Sequence, residues 1–381
     1  MAALQAMFFI LWLCALAFYA ISAYSLRAFF IRERGRTPSS GGTPPLTVLK
    51  PIRGADGNTY ENLKSFISQD YPRFQTIFGM AEESDPAVPV VRRLIAEHPD
   101  RDIVLVVSGR ESGTNSKVSN LGNMYEKARY DILVIADSDM RVGPDYLRAV
   151  AAGFEDPSVG LVTCPYRGAY PKNLGAALDA LTIDTDFLPS VAVAERLEGL
   201  SFALGATMAV RRDALEKIGG FAVLADRLAD DYWLGNLVKQ AGYGLKLAGY
   251  VVDSVEGRES FSGYFAHQLR WGRTYRVCRP KGYFLSVLTK GTVFSALFLL
   301  ASGFSPAGWS VVLAELVIRS CQAAYMEGFY IKGPGVIRYF WLLPLKDLLG
   351  AAIWLLSFTG NTVTWKGASF RIDREGRMER L

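Results

Sequence analysis

The chain has 381 residues, of which 50% are hydrophobic, and its mean hydropathy is +0.15. This length accommodates two soluble domains or one soluble domain with membrane segments, and the apolar composition favours the second arrangement. Lysine and arginine number 42 against 37 aspartate and glutamate, a net charge of +5. Because the sequence has no long basic run, this excess indicates a membrane surface rather than a nucleic-acid partner. The four cysteines lack paired or metal-ligand spacing, which favours a reduced, cytosol-facing body.

An apolar segment opens the chain. Ala2–Leu26 is nearly uncharged and long enough to cross a bilayer as one helix. It is longer than the apolar region of a signal peptide, and no basic residue precedes it. Arginines follow at once and, by the positive-inside rule, place the next residues in the cytoplasm: Arg27, Arg32, Arg34 and Arg36. The sequence therefore predicts an uncleaved anchor over residues 1–27 and a basic, Gly/Pro-rich linker over residues 28–45.

From residue 46 onward, short β-favouring runs alternate with helical stretches. Such alternation is typical of α/β proteins in which helices cover a mostly parallel sheet. We therefore expect one cytoplasmic domain over residues 46–280. The predicted strands of its first part are Leu46–Leu49, Gln75–Met80, Ile103–Val107, Ile132–Ala136 and Val159–Thr163. After residue 165 the pattern loosens. The predicted elements are Leu174–Ala194, which is helical or irregular and broken at Pro189, strands at Phe202–Val210 and Leu245–Val252, and a helix at Ser260–Cys278.

The C-terminal part is apolar again, but charges interrupt it. Glu315 and the Lys346–Asp347 pair lie in apolar stretches, where charges exposed to lipid are costly. We therefore expect these helices to pack on each other or to be partly re-entrant. The prediction is two to three membrane segments over residues 281–360 and a charged cytoplasmic tail over residues 361–381.

Two aspartates follow the predicted strand Ile132–Ala136. Asp137 and Asp139 are separated by one serine and fall where the strand leaves the sheet. In open α/β sheets, ligands bind outside the carboxyl ends of the strands. Carboxylate oxygens there suit Mg²⁺ or Mn²⁺, which usually takes one or two carboxylates together with substrate phosphates. Taken alone, the pair is more often an ordinary Asp-rich turn.

Further polar groups stand in the same domain, each with a plainer interpretation of its own. Glu82 follows the second strand, and its plainer interpretation is a solvated acidic loop. Lys117 follows a polar loop and is also typical of a helix start, and Asp230 and Asp231, at a helix start, are acids that a helix dipole favours. On one helical face lie His267, Arg270 and Trp271, of which the last two also suit a membrane-surface pair.

Together these groups indicate one chemistry. A metal held by carboxylates at a strand end neutralises a diphosphate leaving group. A separate carboxylate removes the proton from an attacking hydroxyl. An arginine and a tryptophan on a later helix clamp phosphate and cover a sugar or lipid. This is sugar transfer from a nucleotide sugar by direct displacement, with inversion at the anomeric carbon.

The ordered motifs resemble the signature of glycosyltransferase families 2 and 21 on a GT-A fold. The resemblance covers residues 46 to about 275 and is closer to the ceramide glucosyltransferases and the hopanoid-biosynthesis (bacteriohopanetetrol) glycosyltransferases than to processive polysaccharide synthases. An N-terminal anchor and C-terminal membrane segments also match the family. The segments that carry it are Val48–Gly54, Ser116–Leu121, Ala136–Asp145, Ala229–Tyr232 and His267–Trp271.

The resemblance implies a role for each group. Two positions depart from the family pattern, because His267 replaces a glutamine or arginine and Glu82 replaces the more usual aspartate. His267 is accordingly a candidate for the acceptor side or for the metal shell. The implied roles are Glu82 near the nucleotide base, Lys117 in donor binding, Asp137 and Asp139 at the ribose, diphosphate and metal, Asp231 as general base, and Asp230, His267, Arg270 and Trp271 at the diphosphate and acceptor.

The expected protein is an integral membrane enzyme with a cytoplasmic catalytic domain, in a bacterial-type inner membrane. It would use a UDP-sugar and Mn²⁺ or Mg²⁺ to glycosylate the hydroxyl of a membrane lipid, a hopanoid polyol or a ceramide. No nucleic acid is expected as a partner. The alternatives are a processive polysaccharide synthase, for which the C-terminal segments are few, and a catalytically silent membrane scaffold that keeps the nucleotide-sugar fold.

Overall fold

A computed structural model describes residues 1–34, 42–255, 257, 259–365 and 367–381. Residues 35–41 of the predicted linker, which include Arg36, lie outside these ranges. The chain divides into two compact units, which we call the sheet unit and the helical unit. The sheet unit comprises Glu33–Arg167, Glu198–Gly257 and Gly376–Leu381, and the helical unit comprises Met1–Arg32, Gly168–Leu197 and Arg258–Glu375.

The strands and helices have the following bounds. The strands are β1 Leu46–Pro51, β2 Phe74–Met80, β3 Ile103–Val107, β4 Ile132–Ile135, β5 Met140–Arg141, β6 Val159–Thr163, β7 Tyr166–Gly168, β8 Met208–Arg211, β9 Gly244–Leu247, β10 Val252–Ser254, β11 Thr362–Trp365, β12 Ala368–Ile372 and β13 Met378–Arg380. The helices are α1 Ala2–Arg34, α2 Thr59–Ile67, α3 Ala87–Glu97, α4 Ser116–Tyr125, α5 Tyr146–Ala152, α6 Leu174–Thr182, α7 Leu188–Glu198, α8 Arg212–Lys217, α9 Asp230–Gln240, α10 Phe261–Cys278, α11 Pro280–Leu285, α12 Gly291–Ala301, α13 Pro306–Met326 and α14 Leu343–Ser357.

The sheet unit is built on a seven-stranded sheet with the order β3-β2-β1-β4-β8-β6-β9. Strands β1, β2, β3 and β4 run parallel, and so do β6 and β9. Strand β8 lies antiparallel between β4 and β6. The predicted α/β class with a mostly parallel sheet is confirmed. The parallel strands β1, β2 and β4 end at the same edge, so the residues that follow them share one side of the sheet.

Apolar faces of the helices cover this sheet on both sides. One core joins β1 and β4 to α4, α8 and α9 through fully buried residues such as Leu49, Leu133 and Val118. A second core packs α2 and α3 on β2 through Leu63 and Phe78. Each fully buried side chain of this size contributes about 1.5–3 kcal/mol, so the helices are held to the sheet mainly by apolar burial.

Three predicted elements differ from the structure. The strand predicted at Leu245–Val252 is divided, because β9 ends at Leu247 and pairs with β6, whereas β10 begins at Val252 and pairs with β5. The strand predicted at Phe202–Val210 begins only at Met208, because Leu204–Thr207 form a tight turn in which the Thr207 N–H donates to the Leu204 carbonyl. The predicted break at Pro189 is absent from the described backbone. A π turn over Ile183–Phe187 links α6 to α7, and Pro189 falls in the first turn of α7, a position that tolerates proline.

The charges predicted to be costly in lipid are buried and paired within the helical unit. Glu315 on α13 is fully buried, and its carboxylate accepts hydrogen bonds from Trp12 Nε1 at 2.8 Å and Tyr19 OH at 3.0 Å on α1. Lys346 Nζ lies 2.6 Å from Asp347 Oδ1. Packing of the helices on each other, rather than exposure to lipid, therefore accommodates these charges, as expected.

Two described helical stretches, α1 and Ile337–Ser357, are long and apolar enough to cross a membrane. The count rises to three if the bent pair Pro280–Thr289 and Gly291–Ala301 forms one span. The number of C-terminal membrane segments and the predicted domain boundaries stay predictions. The residues of the predicted tail include an antiparallel hairpin of β11 and β12.

Candidate active site

The turn between β4 and β5 carries Asp137 and Asp139, as the sequence predicts. Its backbone is held by other parts of the sheet unit. Lys50 Nζ donates to the Asp137 carbonyl, and Val255 N–H donates to the Asp139 carbonyl at 2.9 Å. Asn62 Nδ2 lies 3.4 Å from the same Asp139 oxygen. These contacts fix the turn through its main chain, which leaves the orientation of the two carboxylates to their side-chain surroundings.

Lys117 joins two of the acidic groups. Its Nζ lies 2.7 Å from Asp137 Oδ1 and 2.9 Å from Asp230 Oδ2, and only 11% of its side chain is exposed. Burial disfavours the ammonium, but the carboxylates of Asp137 and Asp230 outweigh this and hold the pKa of Lys117 above its ordinary value. Lys117 therefore stays charged and neutralises part of the negative charge of Asp137 and Asp230.

Asp231 lies beside Asp230 in the first turn of α9. Its Oδ2 accepts a hydrogen bond from the Gly205 N–H at 3.1 Å, and its Oδ1 accepts one from the Tyr232 N–H at 2.7 Å. Burial and the neighbouring charge of Asp230 raise the pKa of Asp231 to about 6. A carboxylate with this pKa is ionised at neutral pH and is a stronger base than an ordinary aspartate.

Gly205 is the point that both Asp137 and Asp231 approach. A Cβ atom placed on Gly205 would lie 2.7 Å from Asp137 Oδ2 and 3.6 Å from Asp231 Oδ2. Any side chain at this position would therefore push against the carboxylate of Asp137. The glycine preserves a space lined by carboxylates that belong to different sequence motifs.

Lys50 is a site residue that sequence reasoning did not identify. It is completely buried at the end of β1, beneath the Asp137 backbone, and its ammonium lies 3.8 Å from the centroid of the Phe66 ring. Burial lowers the pKa of Lys50 to about 7, against the opposing effect of Asp139 and Asp137. Its signal in the sequence was a lysine at the end of an apolar strand, directly before Pro51.

The acidic cluster after β2 contains residues with different surroundings. Glu82 is exposed and accepts a hydrogen bond from Ser84 Oγ at 3.2 Å. Asp85 instead binds main chain, since its carboxylate accepts from the Gly54 N–H at 2.9 Å and from the Ala87 N–H at 2.8 Å. Asp85 therefore stabilises the turn and the start of α3, while Glu82 stays exposed to solvent.

The carboxylate oxygens of the turn between β4 and β5 suit a divalent cation such as Mg²⁺. Within the described ranges, no cluster of three or more His, Cys, Asp or Glu side chains is arranged to hold a metal. Asp137 and Asp139 instead offer hard oxygen ligands, and Asp137 retains 36% exposure of its side chain. Such a partial set suits Mg²⁺ or Mn²⁺, which completes its coordination with water and substrate phosphate.

The remaining predicted residues lie on α10 in the helical unit. His267 Nδ1 lies 3.2 Å from Asp179 Oδ2, and Asp179 Oδ1 accepts a hydrogen bond from Gln268 Nε2 at 2.5 Å. The rings of His267 and Trp271 are edge to face, with centroids 4.7 Å apart. Arg270 is half-buried on the same helix. The predicted shared face of His267 and Trp271 is thus observed, and Asp179 is a neighbour that the sequence motif did not reveal.

Comparison with known families decides the class of protein. The family model for glycosyl transferase family 21 matches residues 7–378. The chain belongs to glycosyl transferase family 21. Among its relatives is ceramide glucosyltransferase 1 of Caenorhabditis elegans, with 24% identity over 88% of this chain and 73% of the relative. Ceramide glucosyltransferase 3 of the same organism shows 25% identity over 94% of this chain and 80% of the relative.

A solved structure agrees with the fold. The mannosyltransferase PcManGT of Pyrobaculum calidifontis, determined in complex with GDP-Man and Mn²⁺, matches this family 21 member with a TM-score of 0.50. The match has 21% identity and covers 91% of this chain and 99% of the neighbour. The predicted GT-A fold and the predicted family are therefore confirmed, and the protein is a sugar-transferring enzyme.

Proposed function

We propose that this family 21 member is a membrane-bound inverting glycosyltransferase that moves a sugar from a UDP-sugar to the hydroxyl of a membrane lipid. The observation that carries the proposal is the pair of carboxylates facing Gly205. Asp137 is held by Lys117, and Asp231 has a pKa raised to about 6. One acid is thereby suited to donor binding and the other to accepting a proton.

Asp231 is the proposed general base. Its carboxylate takes the proton of the acceptor hydroxyl as the acceptor oxygen bonds to the anomeric carbon. In the same step, the bond between that carbon and the diphosphate oxygen breaks, and UDP leaves with the electron pair. The Gly205 and Tyr232 N–H groups hold the Asp231 carboxylate in place. Attack from the side opposite the leaving group inverts the anomeric configuration.

Asp137 and Asp139 are the proposed ligands of Mn²⁺ or Mg²⁺. When bound, such an ion offsets the negative charge of the diphosphate. Lys117 holds Asp137 and Asp230 in fixed orientations, and exposed Glu82 is the proposed contact to the nucleotide base. His267, Arg270 and Trp271 are the proposed residues for the diphosphate and acceptor.

The lipid nature of the acceptor is supported by the relatives and by the apolar helices. Two relatives with about a quarter of their residues identical are named ceramide glucosyltransferases. Helix α1 is long and apolar enough to cross a membrane, and Arg27, Arg32 and Arg34 stand at its C-terminal end. By the positive-inside rule, this end and the sheet unit that follows are proposed to be cytoplasmic. The proposed acceptors are a ceramide and a hopanoid polyol, and the proposed setting is a bacterial-type inner membrane.

The test of the base is Asp231→Asn in purified, full-length protein. Sugar transfer from UDP-sugars to lipid extracts should fall on the order of 10³-fold, since a positioned base contributes roughly 10²–10⁴-fold. UDP binding, measured by a thermal-shift titration, should persist. Asn236→Asp, the isosteric change in the opposite direction five residues further along the same helix, is the control. Transfer at the wild-type rate by Asp231→Asn would remove Asp231 from the role of base.

Mass spectrometry of lipids identifies the donor and acceptor together. Cells that contain the protein should accumulate a lipid heavier by one hexose, uronic acid or N-acetylhexosamine than cells that lack it. A change confined to a polymeric saccharide would contradict a lipid acceptor and favour a processive synthase. Failure of the purified protein to bind any UDP-sugar in a thermal-shift panel would favour a silent scaffold instead.

A further inference from the structure

The segment Ala225–Leu228 leads directly into Asp230 and Asp231, and it is held from two sides. On one side it meets Thr114 and Asn115, the residues before α4. The Asn115 N–H donates to the Ala225 carbonyl at 2.8 Å, and Asn115 Nδ2 donates to the Arg227 carbonyl at 2.7 Å. The Thr114 N–H donates to Asp226 Oδ1 at 2.8 Å. The loop before Lys117 and the loop before Asp230 are therefore bonded to each other.

Asn115 also caps the N-terminus of α4. Its Oδ1 accepts hydrogen bonds from the N–H groups of Lys117 and Val118, at 3.0 and 3.2 Å, so it is the N-cap of α4. The residue is completely buried. Both ends of its side-chain amide are thus used. One end fixes the start of the helix that carries Lys117, and the other fixes the segment that precedes Asp230 and Asp231.

On its other side, the Ala225–Leu228 segment pairs with the C-terminal residues of the chain. Met378 N–H donates to the Asp226 carbonyl at 2.8 Å, and Leu228 N–H donates to the Gly376 carbonyl at 3.2 Å. Arg227 and Arg377 face each other as an antiparallel β-bridge. Met378 is buried, with 4% of the residue exposed. The last residues of the chain therefore add a short strand to the segment that enters α9.

We propose that Asn115 and the C-terminal strand around Met378 are positioning elements for the acidic site. Together they set the distance between Lys117 on α4 and the Asp230–Asp231 pair on α9. This inference rests on the proposed function, because it assigns Asp231 the role of base. Neither element touches the proposed base. Both hold the main chain of Ala225–Leu228, and Asn115 also caps the helix that carries Lys117. A displacement of about 1 Å at a reacting group can lower a rate on the order of 100-fold. We therefore expect the contacts of Asn115 and the C-terminal strand to affect turnover.

Two full-length variants test the proposal. Asn115→Asp keeps the oxygen that caps α4, since Asp and Asn are equally good caps, but it removes the Nδ2 donor to the Arg227 carbonyl. Met378→Pro removes the N–H that donates to the Asp226 carbonyl. We expect kcat to fall on the order of 10- to 100-fold in each, with a KM for the UDP-sugar that changes by less than threefold.

Matched controls separate positioning from general damage. Asn173→Asp makes the same change at another N-cap whose Nδ2 also donates to a backbone carbonyl, that of Glu259 at 2.8 Å, in the helical unit. Glu379→Ala changes an exposed neighbour of Met378 in the same strand. Both controls should keep at least half of the wild-type kcat. Asn115→Ser retains a capping oxygen but lacks the donor in the same place, so it should resemble Asn115→Asp.

Hydrogen–deuterium exchange gives a readout that does not depend on activity. In Asn115→Asp and Met378→Pro, exchange should increase in peptides covering residues 113–118 and 225–232 and remain at the wild-type level in β1 and β2. An unchanged exchange in both peptides, or an unchanged kcat in both variants, would overturn the positioning role. If the wild-type protein transfers no sugar, the proposed function fails. The exchange data still decide whether Asn115 and the C-terminal strand hold the two loops in position.

Discussion

Lys117 Nζ lies 2.7 Å from Asp137 Oδ1, and this ion pair links two motifs that are about twenty residues apart in the chain. The same ammonium lies 2.9 Å from Asp230 Oδ2, on a third motif. A single cation therefore holds acids from the end of β4 and from the start of α9. A buried cation between two carboxylates keeps them apart at a fixed spacing and lowers their mutual repulsion.

Lys117→Met should lower both donor affinity and stability. Removing one partner of a buried ion pair leaves charge uncompensated and typically costs about 3–5 kcal/mol. We expect UDP affinity, measured by calorimetry, to fall at least tenfold, and the melting temperature to drop. Lys127→Met, at an exposed position just after α4, is the control and should change neither quantity. Wild-type UDP affinity in Lys117→Met would show that the ion pair is not needed for donor binding.

Gly205→Ala should lower turnover while the protein remains folded. The added Cβ would lie 2.7 Å from Asp137 Oδ2, so the carboxylate must move away from the space it shares with Asp231. We expect kcat to fall on the order of 10- to 100-fold, as for other small displacements of reacting groups. Gly122→Ala on α4 is the matched control, because a Cβ there meets nothing within 4 Å. Equal steady-state rates for the two variants would contradict the role assigned to this space.

Activity should depend on the ionisation of Asp231. With a pKa raised to about 6, the carboxylate is largely protonated at pH 5 and largely ionised at pH 7.5. We therefore expect kcat/KM to rise with pH through about 6 and then to level off. Initial rates between pH 5 and 8 in buffers of constant ionic strength give the profile. A flat profile over this range would argue against Asp231 as the base.

Asp231 should also affect stability, with a sign that follows from the raised pKa. Between the ordinary pKa of aspartate, near 4, and about 6, the folded protein binds more protons than the unfolded chain. Its stabilising contribution is therefore present below pH 4 and is lost as the pH rises through about 6. Asp231→Asn should accordingly raise the melting temperature relative to wild type more at pH 7.5 than at pH 5. The opposite trend would mean that the folded protein favours the ionised carboxyl.

Glu315→Leu should destabilise the helical unit. Trp12 Nε1 and Tyr19 OH, both on α1, donate to the Glu315 carboxylate and would lose their acceptor. Each buried donor left unsatisfied costs about 1–3 kcal/mol. The melting temperature in detergent should fall, and Glu315→Gln, which keeps one acceptor oxygen, should fall less. Leu313→Ala, with 64% exposure on the same helix, is the control. If Glu315→Leu were as stable as Leu313→Ala, the hydrogen bonds of Glu315 would contribute little to stability.

Much of the fold could be predicted from local patterns. The strands β3 and β4 are continuous apolar runs, and β1 and β2 are mostly apolar with a few polar residues. Polar or proline-containing turns follow the helices between these strands, so the local pattern alone predicts the elements. The antiparallel insertion of β8 could not be predicted in this way. It depends on the turn Leu204–Thr207, and the pairing of β8 with β4 and β6 joins residues that are distant in the chain.

By itself, the sequence determined the class of fold, the order of the acidic motifs and the apolar segments, because these follow from spacing and composition. Only the tertiary structure decided which of these acids share a site. Lys50, Gly205 and Asn115 acquire their roles from neighbours on other elements: the Asp137 backbone, the carboxylates of Asp137 and Asp231, and the Arg227 carbonyl. Burial and electrostatics act through space, so the raised pKa of Asp231 arises only once the chain has folded.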